Sequence, residues 1–311
     1  MISSSKLLCI VGPTASGKSD LAVEVALRWG AEIISLDASQ VYRGFDIGTG
    51  KITVDEMRGV PHHLIDCVHP DERFDAGVFC QRADEIIQDL GSDARVIFCG
   101  GTGLYLKALL NGLCEAPTVN PEIEHALEER LKAGEVEALH AALSEVDPTL
   151  AARLHPRDQQ RITRALGVYL SHGVPLGELQ AEHQFASERH PALILGLDPP
   201  RALLNQRIER RVEAMWAGGF LEEVQRLRDA GYQSMLQSMG AIGYRLALAV
   251  IEGELSQAEA IEKMKAASRQ YARRQRRYFN KQLPTQWIEP KLGSEVITYA
   301  QLDPYLSEWW G

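Results

Sequence analysis

The sequence predicts an α/β fold, a parallel sheet flanked by helices with a helical insertion domain set into it. Three observations predict it. In the first third, short aliphatic runs ending in Gly or Asp alternate with helical patterns, the rhythm of a parallel sheet covered on both faces. From about 121 to 183 that rhythm gives way to helical periodicity without a strand. A further apolar run then appears at 192–197, so the helical stretch lies between two strands.

Strands are expected at 7–11, 32–36, 95–99 and 192–197, each rich in aliphatic or β-branched residues. Helices are expected at 18–29 and 78–90. "PEIEHALEERLKAGEVEALHAALSEVDP" and "DQQRITRALGVYLSHG" read as helix throughout. After the last strand come "ALLNQRIERRVEAMWAGG", "FLEEVQRLRDAG", "QSMGAIGYRLALAVIEG" and a basic helix from about 256 to 282. The core is assigned to 1–118 and 190–311, the insertion to 119–189.

With 311 residues, 45% of them hydrophobic, the chain can bury one large core, or one core and a small appended domain. Its net charge of −9 argues against a protein that coats nucleic acid indiscriminately, because that affinity comes from neutralising phosphates. A local basic patch stays open. The stretch "SRQYARRQRRYFNK", 268–281, carries six positive charges and no acid, which fits either a solvated face or a surface for RNA.

Five cysteines without a CxxC pair, three of them in apolar runs that read as buried, point to reduced thiols in a cytoplasmic protein without a zinc site. No apolar stretch has signal-peptide length, and none approaches the ~18 residues of a membrane span.

"IVGPTASGKS" supplies the chemistry. It fits GxxxxGK[ST] in full, follows an apolar strand and precedes a helix. Gly12, Pro13, Thr14, Ala15, Ser16, Gly17, Lys18 and Ser19 form a phosphate loop: backbone amides and the helix N-terminus bind anionic oxygens, Lys18 adds charge, and Ser19 can coordinate Mg²⁺. By habit such a loop holds a nucleoside triphosphate such as ATP. A hydrolase of that kind places an aspartate at a strand tip to hold its metal, but the strand at 95–99 runs into "FCGGTGLY" instead. Those glycines and Thr102 imply close approach of backbone to ligand and one hydroxyl donor. Asp37, at the end of "EIISLD", reads equally as metal ligand, general base or N-cap. Arg207, Arg210 and Arg211 share one helical face, either solvated or clamped on phosphates.

Together, "GPTASGKS", "ISLDASQVYRGFDIGTGK", "PHHLIDCVHPDERF", "FCGGTGLYLKALLNGL", "DQQRITRAL", "RIERRVEAMWAGGFLEEV", "AIGY" and "SRQYARRQRRYF" resemble, in order, the bacterial tRNA dimethylallyltransferases, also called tRNA isopentenyltransferases or the IPP transferase family. The resemblance runs from about 7 to 283; the tail beyond carries no motif.

The resemblance implies a P-loop nucleoside-kinase-like sheet and a defined reaction. The loop would hold the pyrophosphate of dimethylallyl diphosphate with Mg²⁺, and the acceptor would be the exocyclic amine of the adenine at tRNA position 37. Asp37 matches the family's base, Thr102 its active-site threonine and Arg211 its diphosphate arginine. Asp37, Ala38, Ser39 and Gln40, then Gln160, Arg161, Ile162, Thr163 and Arg164, then Gly240, Ala241, Ile242, Gly243 and Tyr244 match segments that touch tRNA. Thr102, Arg273 and Arg274 join them, and the insertion would grip the anticodon stem-loop. A monomer that touches no membrane is expected. One departure stands out: the family commonly has Asp-Ser where this chain has Asp37-Ala38. A small-molecule kinase, an adenylate isopentenyltransferase acting on a free nucleotide and a non-catalytic RNA binder share parts of the pattern. The adenylate enzyme has little need for the insertion or the basic helix.

Overall fold

Leu7–Val11 (β1), an aliphatic run with no exposed surface, forms the middle of a parallel sheet. In the computed structural model, which describes residues 6–114, 116–183, 189–238, 241–291 and 294–311, β1 pairs in parallel on both sides. The chain passes from β1 through α1 (Lys18–Trp29), β2 (Glu32–Leu36), α2 (Val54–Met57), β3 (His62–His63), α3 (Ala76–Leu90), β4 (Val96–Gly100) and α4 (Gly103–Asn111). Helices α5 (Pro121–Lys132), α6 (Val136–Val146), α7 (Pro148–Ala151), α8 (Gln159–His172) and α9 (Leu176–His183) follow. The chain then continues through β5 (Ala192–Leu197), α10 (Arg201–Ala217), α11 (Phe220–Asp229), α12 (Gln233–Ser238) and α13 (Tyr244–Ile251). It closes with α14 (Gln257–Gln282), β6 (Gln286–Ile288) and α15 (Tyr299–Trp310).

The sheet order is β3-β2-β4-β1-β5-β6, every pair parallel. Three expected strands have the bounds read from the sequence. The fourth is displaced by one residue, to Val96–Gly100, because Gly100 pairs with both Val11 and Leu36. β3 is too short to carry a pattern and was not expected. Neither was β6, in the tail that looked featureless.

That tail completes the fold. Ile288, Leu302, Leu306 and Trp310 join the core made by β1 and α1, and Trp310 Nε1 donates to the Lys6 carbonyl at 2.9 Å. Burying each such large apolar side chain contributes about 1.5–3 kcal/mol. Local capping sets the helix ends. Asp75 accepts from the amides of Gly77 and Val78, so α3 starts earlier than its apolar pattern implied. Ser256 and Glu259 cap each other at the start of α14, whose 26 residues outrun any helix around it.

Two compact units make up the chain, 1–110 with 188–311, and 111–187. The second has its own apolar core, including Leu127, Leu139, Leu143, Leu150, Ile162 and Leu166. Its buried Asp147 is satisfied: one carboxylate oxygen caps α7 at the Leu150 amide and the other accepts from the Gly177 amide.

Cys9 and Cys80 are buried, whereas Cys67, Cys99 and Cys114 are only partly so, which corrects the expectation of three buried thiols. Among the described residues no helix is long and apolar enough to cross a membrane.

Candidate active site

The register of the sheet builds the site. Leu36, Gly100, Val11 and Gly196 are paired neighbours across four strands, so β2, β4 and β1 end level and β5 runs one residue further. Asp37, Gly101 and Gly12 therefore leave the carboxyl edge side by side, where open α/β sheets bind ligands. Glycine is required at the turn out of β1: a Cβ on Gly12 would stand 2.9 Å from the Leu197 carbonyl oxygen, and φ there is +152°.

Over this edge lies a cavity of about 1050 Å³, lined by Thr14–Ser19 of the phosphate loop, Asp37, Arg207 and Arg211 among others. Gly12 and Pro13 sit beneath it, both buried. Lys18 Nζ reaches the Pro13 carbonyl at 3.3 Å. Burial holds the Lys18 ammonium below the ordinary lysine range, Arg211 adds to the effect, and Cys99 and Asp37 oppose it. Burial lowers Arg211 as well, against the opposing pull of Asp37 and Glu56. Among the described residues neither cation has a carboxylate ion-pair partner, so both are left to meet an anionic ligand, although Asp20, Glu24, Asp37 and Glu56 also line the cavity. The Ser16 hydroxyl is buried there without a hydrogen-bond partner. Ser19 lies on the same wall beside Cys99.

The expected arginine cluster divides. Arg207 and Arg211, one turn apart, face the cavity, while Arg210 is exposed and absent from its lining. Arg207 donates to the Glu295 carbonyl at 2.8 Å. Arg211 donates to the carbonyls of Thr49 and Gly50 at 3.4 and 3.2 Å, the same pair that receives the Gln40 amide at 3.4 and 3.3 Å.

Asp37 caps its own turn. Oδ1 accepts from the amides of Ser39 at 2.8 Å and Gln40 at 3.2 Å, while the residue lines the cavity. Thr102 Oγ1 accepts from the Ala38 amide at 3.2 Å. Because the contact uses the backbone of Ala38, the missing serine hydroxyl does not disturb it.

Sequence reasoning missed three residues that order this site. Glu223, 1% exposed, accepts from the amides of Asp46, Ile47 and Gly48 and from the Tyr244 hydroxyl, fixing the loop that faces Arg211. Gln275 accepts from the Thr14 amide and donates to the Gly101 carbonyl. Tyr271 lines the cavity, its phenol pushed up to about 12 by burial and held protonated near Asp37. The spacing Ser268, Tyr271, Gln275 on one face of α14, amid arginines, was the available signal.

Several expected RNA contacts have structural duties. Tyr244 and Ile162 are fully buried, so their side chains belong to the cores of their units. Gly243 is buried under Met264, while Ala241 and Ile242 line the cavity. Gly240 lies outside the described residues. Gln160 and Arg161 are exposed on α8, Thr163 donates back to Gln159, and Arg164 donates to the carbonyls of Ala116 and Pro117. The six positives at 268–281 are not all unbalanced, since Arg269 pairs with Glu209 and Arg276 with Asp198. Arg273 and Arg274 are exposed.

No three His, Cys, Asp or Glu side chains come together as a metal cage among the described residues. The donor set fits a cation held chiefly by ligand phosphates, with the Ser19 hydroxyl completing its shell, which is how Mg²⁺ is commonly bound.

The family model described as IPP transferase matches residues 40–282. A tRNA dimethylallyltransferase of Geobacter sulfurreducens is 46% identical over 288 residues, covering 92% of this chain and 93% of the relative. One from Anaeromyxobacter dehalogenans strain 2CP-C is 46% identical over 293 residues, covering 94% and 97%. Among solved structures, the tRNA isopentenylpyrophosphate transferase of Staphylococcus epidermidis aligns with a TM-score of 0.69 at 37% identity, covering 98% of each chain. A eukaryotic dimethylallyltransferase acting on tRNA aligns with a TM-score of 0.78 at 26% identity, covering 98% of this chain and 79% of the other.

Proposed function

The chain belongs to the IPP transferase family, and on that premise we propose that it transfers a dimethylallyl group from dimethylallyl diphosphate to the exocyclic amine of adenine at position 37 of tRNA, releasing pyrophosphate. The observation that carries the proposal is the grouping at one sheet edge of the phosphate loop, the buried cations Lys18 and Arg211, neither in a carboxylate ion pair among the described residues, and the carboxylate of Asp37, all lining one cavity.

An adenine amine is a poor nucleophile, its lone pair delocalised into the ring. Attack on the allylic carbon therefore needs a leaving group whose charge is neutralised as it departs. The loop amides, the buried Ser16 hydroxyl, Lys18 and Arg211 would take up that charge in a site partly shielded from water. Mg²⁺, where bound by the diphosphate and Ser19, supplies further neutralisation of the leaving oxygens. As the new C–N bond forms and the C–O bond breaks with its electron pair on pyrophosphate, Asp37 accepts the amine proton. Its turn is already fixed by the Ser39, Gln40 and Thr102 contacts, so the base is oriented before substrate arrives.

The acceptor must leave its stack to reach the sheet edge, as bases do in other enzymes acting on them. Gln160 and Arg161 of α8 and Arg273 and Arg274 of α14 would hold the anticodon stem-loop, through base edges and phosphates respectively. A monomer working in the cytoplasm is part of the same proposal.

The deciding experiment incubates the protein with Mg²⁺, labelled dimethylallyl diphosphate and an anticodon stem-loop carrying the adenine, followed by nucleoside analysis. Label in isopentenyladenosine is expected. Label absent from RNA, with ATP bound far more tightly than dimethylallyl diphosphate, would overturn the proposal in favour of a kinase.

A further inference from the structure

The phosphate loop and the glycine loop after β4 belong to neighbouring strands, yet one distant side chain ties them. Gln275, 261 residues from Thr14 in sequence, accepts the Thr14 amide on Oε1 at 2.8 Å. The same amide donates through Nε2 to the Gly101 carbonyl at 3.1 Å. It is only 7% exposed, and its Nε2 occupies the space a Cβ on Gly101 would need. A primary amide is the side-chain chemistry that meets one backbone donor and one backbone acceptor at once.

Gln275 also has two faces of α14 at its back. Ser268 and Tyr271 share its inward face and line the cavity, whereas Arg273 and Arg274 just before it are exposed on the outer side, Arg274 with its guanidinium 5.8 Å from the Tyr271 ring. An anion gripped by those arginines is thus one or two residues removed from the group that fixes the first turn of the phosphate loop. We propose that Gln275 is a positioning residue that sets the phosphate loop for its diphosphate and links that site to RNA docking on the outer face of α14. The proposal rests on the function given above for the identity of the RNA, but not for the effect on pyrophosphate.

Three consequences follow from the bonding. Removing the amide frees Thr14 and Gly101 together, so Gln275→Ala loosens the loop that wraps the anion. The isosteric Gln275→Glu keeps an acceptor for Thr14 but sets a carboxylate oxygen against the Gly101 carbonyl, with a negative charge facing the diphosphate site. If the bridge carries the coupling, any help the RNA gives to diphosphate binding shrinks when it is cut, and linkage makes the reciprocal effect shrink by the same factor.

The test titrates inorganic pyrophosphate with Mg²⁺ into wild type, Gln275→Ala and Gln275→Glu, each with and without the anticodon stem-loop, alongside steady-state kinetics and thermal melting. Pyrophosphate affinity and KM for dimethylallyl diphosphate are expected to weaken about tenfold in Gln275→Ala and more in Gln275→Glu. Stem-loop affinity measured alone should stay within about twofold, and the wild-type coupling between the two ligands should fall toward none. Pyrophosphate affinity at the wild-type level in both variants overturns the proposal. So does a uniform loss of both affinities that tracks the fall in melting temperature, which is what a merely structural residue produces. A wild type that binds pyrophosphate but prenylates nothing sinks the proposed function, while the pyrophosphate arm still decides the role of Gln275.

Discussion

Arg211 donates through Nη2 to the carbonyl oxygen of Gly50 at 3.2 Å, and its guanidinium fills the space where a side chain on Gly50 would begin. Gly50 has φ of +59°, so any other residue is strained there as well as obstructed. Gly50→Ala should therefore displace Arg211 and cost about 1–2 kcal/mol in backbone strain. Pyrophosphate affinity, by calorimetry, should fall about tenfold while stem-loop affinity stays near wild type. A variant that loses RNA affinity and keeps pyrophosphate would move Arg211 from the diphosphate to the RNA.

The double duty of Asp37 can be separated. Asparagine keeps an Oδ1 acceptor for the Ser39 and Gln40 amides but is no base. Asp37→Asn is expected to cut single-turnover prenyl transfer by about 10²-fold or more at unchanged melting temperature. Asp37→Ala should add a stability loss of about 1 kcal/mol from the missing cap. Near-normal transfer by Asp37→Asn would leave this residue with the turn alone.

Burial of Lys18 has a pH signature. Its pKa is lowered in the folded chain, so as pH rises through that value toward the ordinary lysine value of ~10.4 the unfolded chain holds a proton that the folded one has released. Stability of the unliganded protein therefore gains over that window, while pyrophosphate affinity, which needs the charged ammonium, falls. Lys18→Met should show neither dependence. Pyrophosphate titrations and denaturant melts between neutral pH and the alkaline limit measure both slopes, and identical slopes in wild type and Lys18→Met would remove Lys18 from the anion site.

Glu223 accepts three backbone amides and the Tyr244 hydroxyl in a buried setting. Gln at that position turns an NH₂ toward donors, leaving them unsatisfied. Glu223→Gln should cost about 2–4 kcal/mol of unfolding free energy, and Tyr244→Phe about 1–2 kcal/mol. Urea denaturation reads both; a neutral Glu223→Gln would mean that the loop at 46–48 holds without it.

On α14 the arginines differ in what they have left to offer. Arg276 is bound to Asp198, so its neutralisation should change the salt dependence of stem-loop binding little. Neutralising Arg273 and Arg274 should lower the slope of log affinity against log salt by about one unit or less each. A slope unchanged in the double variant assigns that face to solvent.

The sequence by itself determined the four central strands, one of them to within a residue, because aliphatic runs ending in Gly or Asp are local signals, and the phosphate loop, because its spacing is contiguous from Gly12 to Ser19. Asp37 was visible for the same reason, at a strand tip. Tertiary structure alone decided the rest. Helical spacing alone left Arg207, Arg210 and Arg211 on one face, and the rotation of α10 turns Arg207 and Arg211, but not Arg210, to the cavity. Tyr244, read as an RNA contact, became a buried ligand of Glu223, and two of the six positives near the C-terminal end of α14 found acids from other elements. The motifless tail supplied β6 and α15 to the core. Gln275 reaches Thr14 across 261 residues, a separation over which no local pattern can report a partner, since only packing brings those atoms within a hydrogen bond.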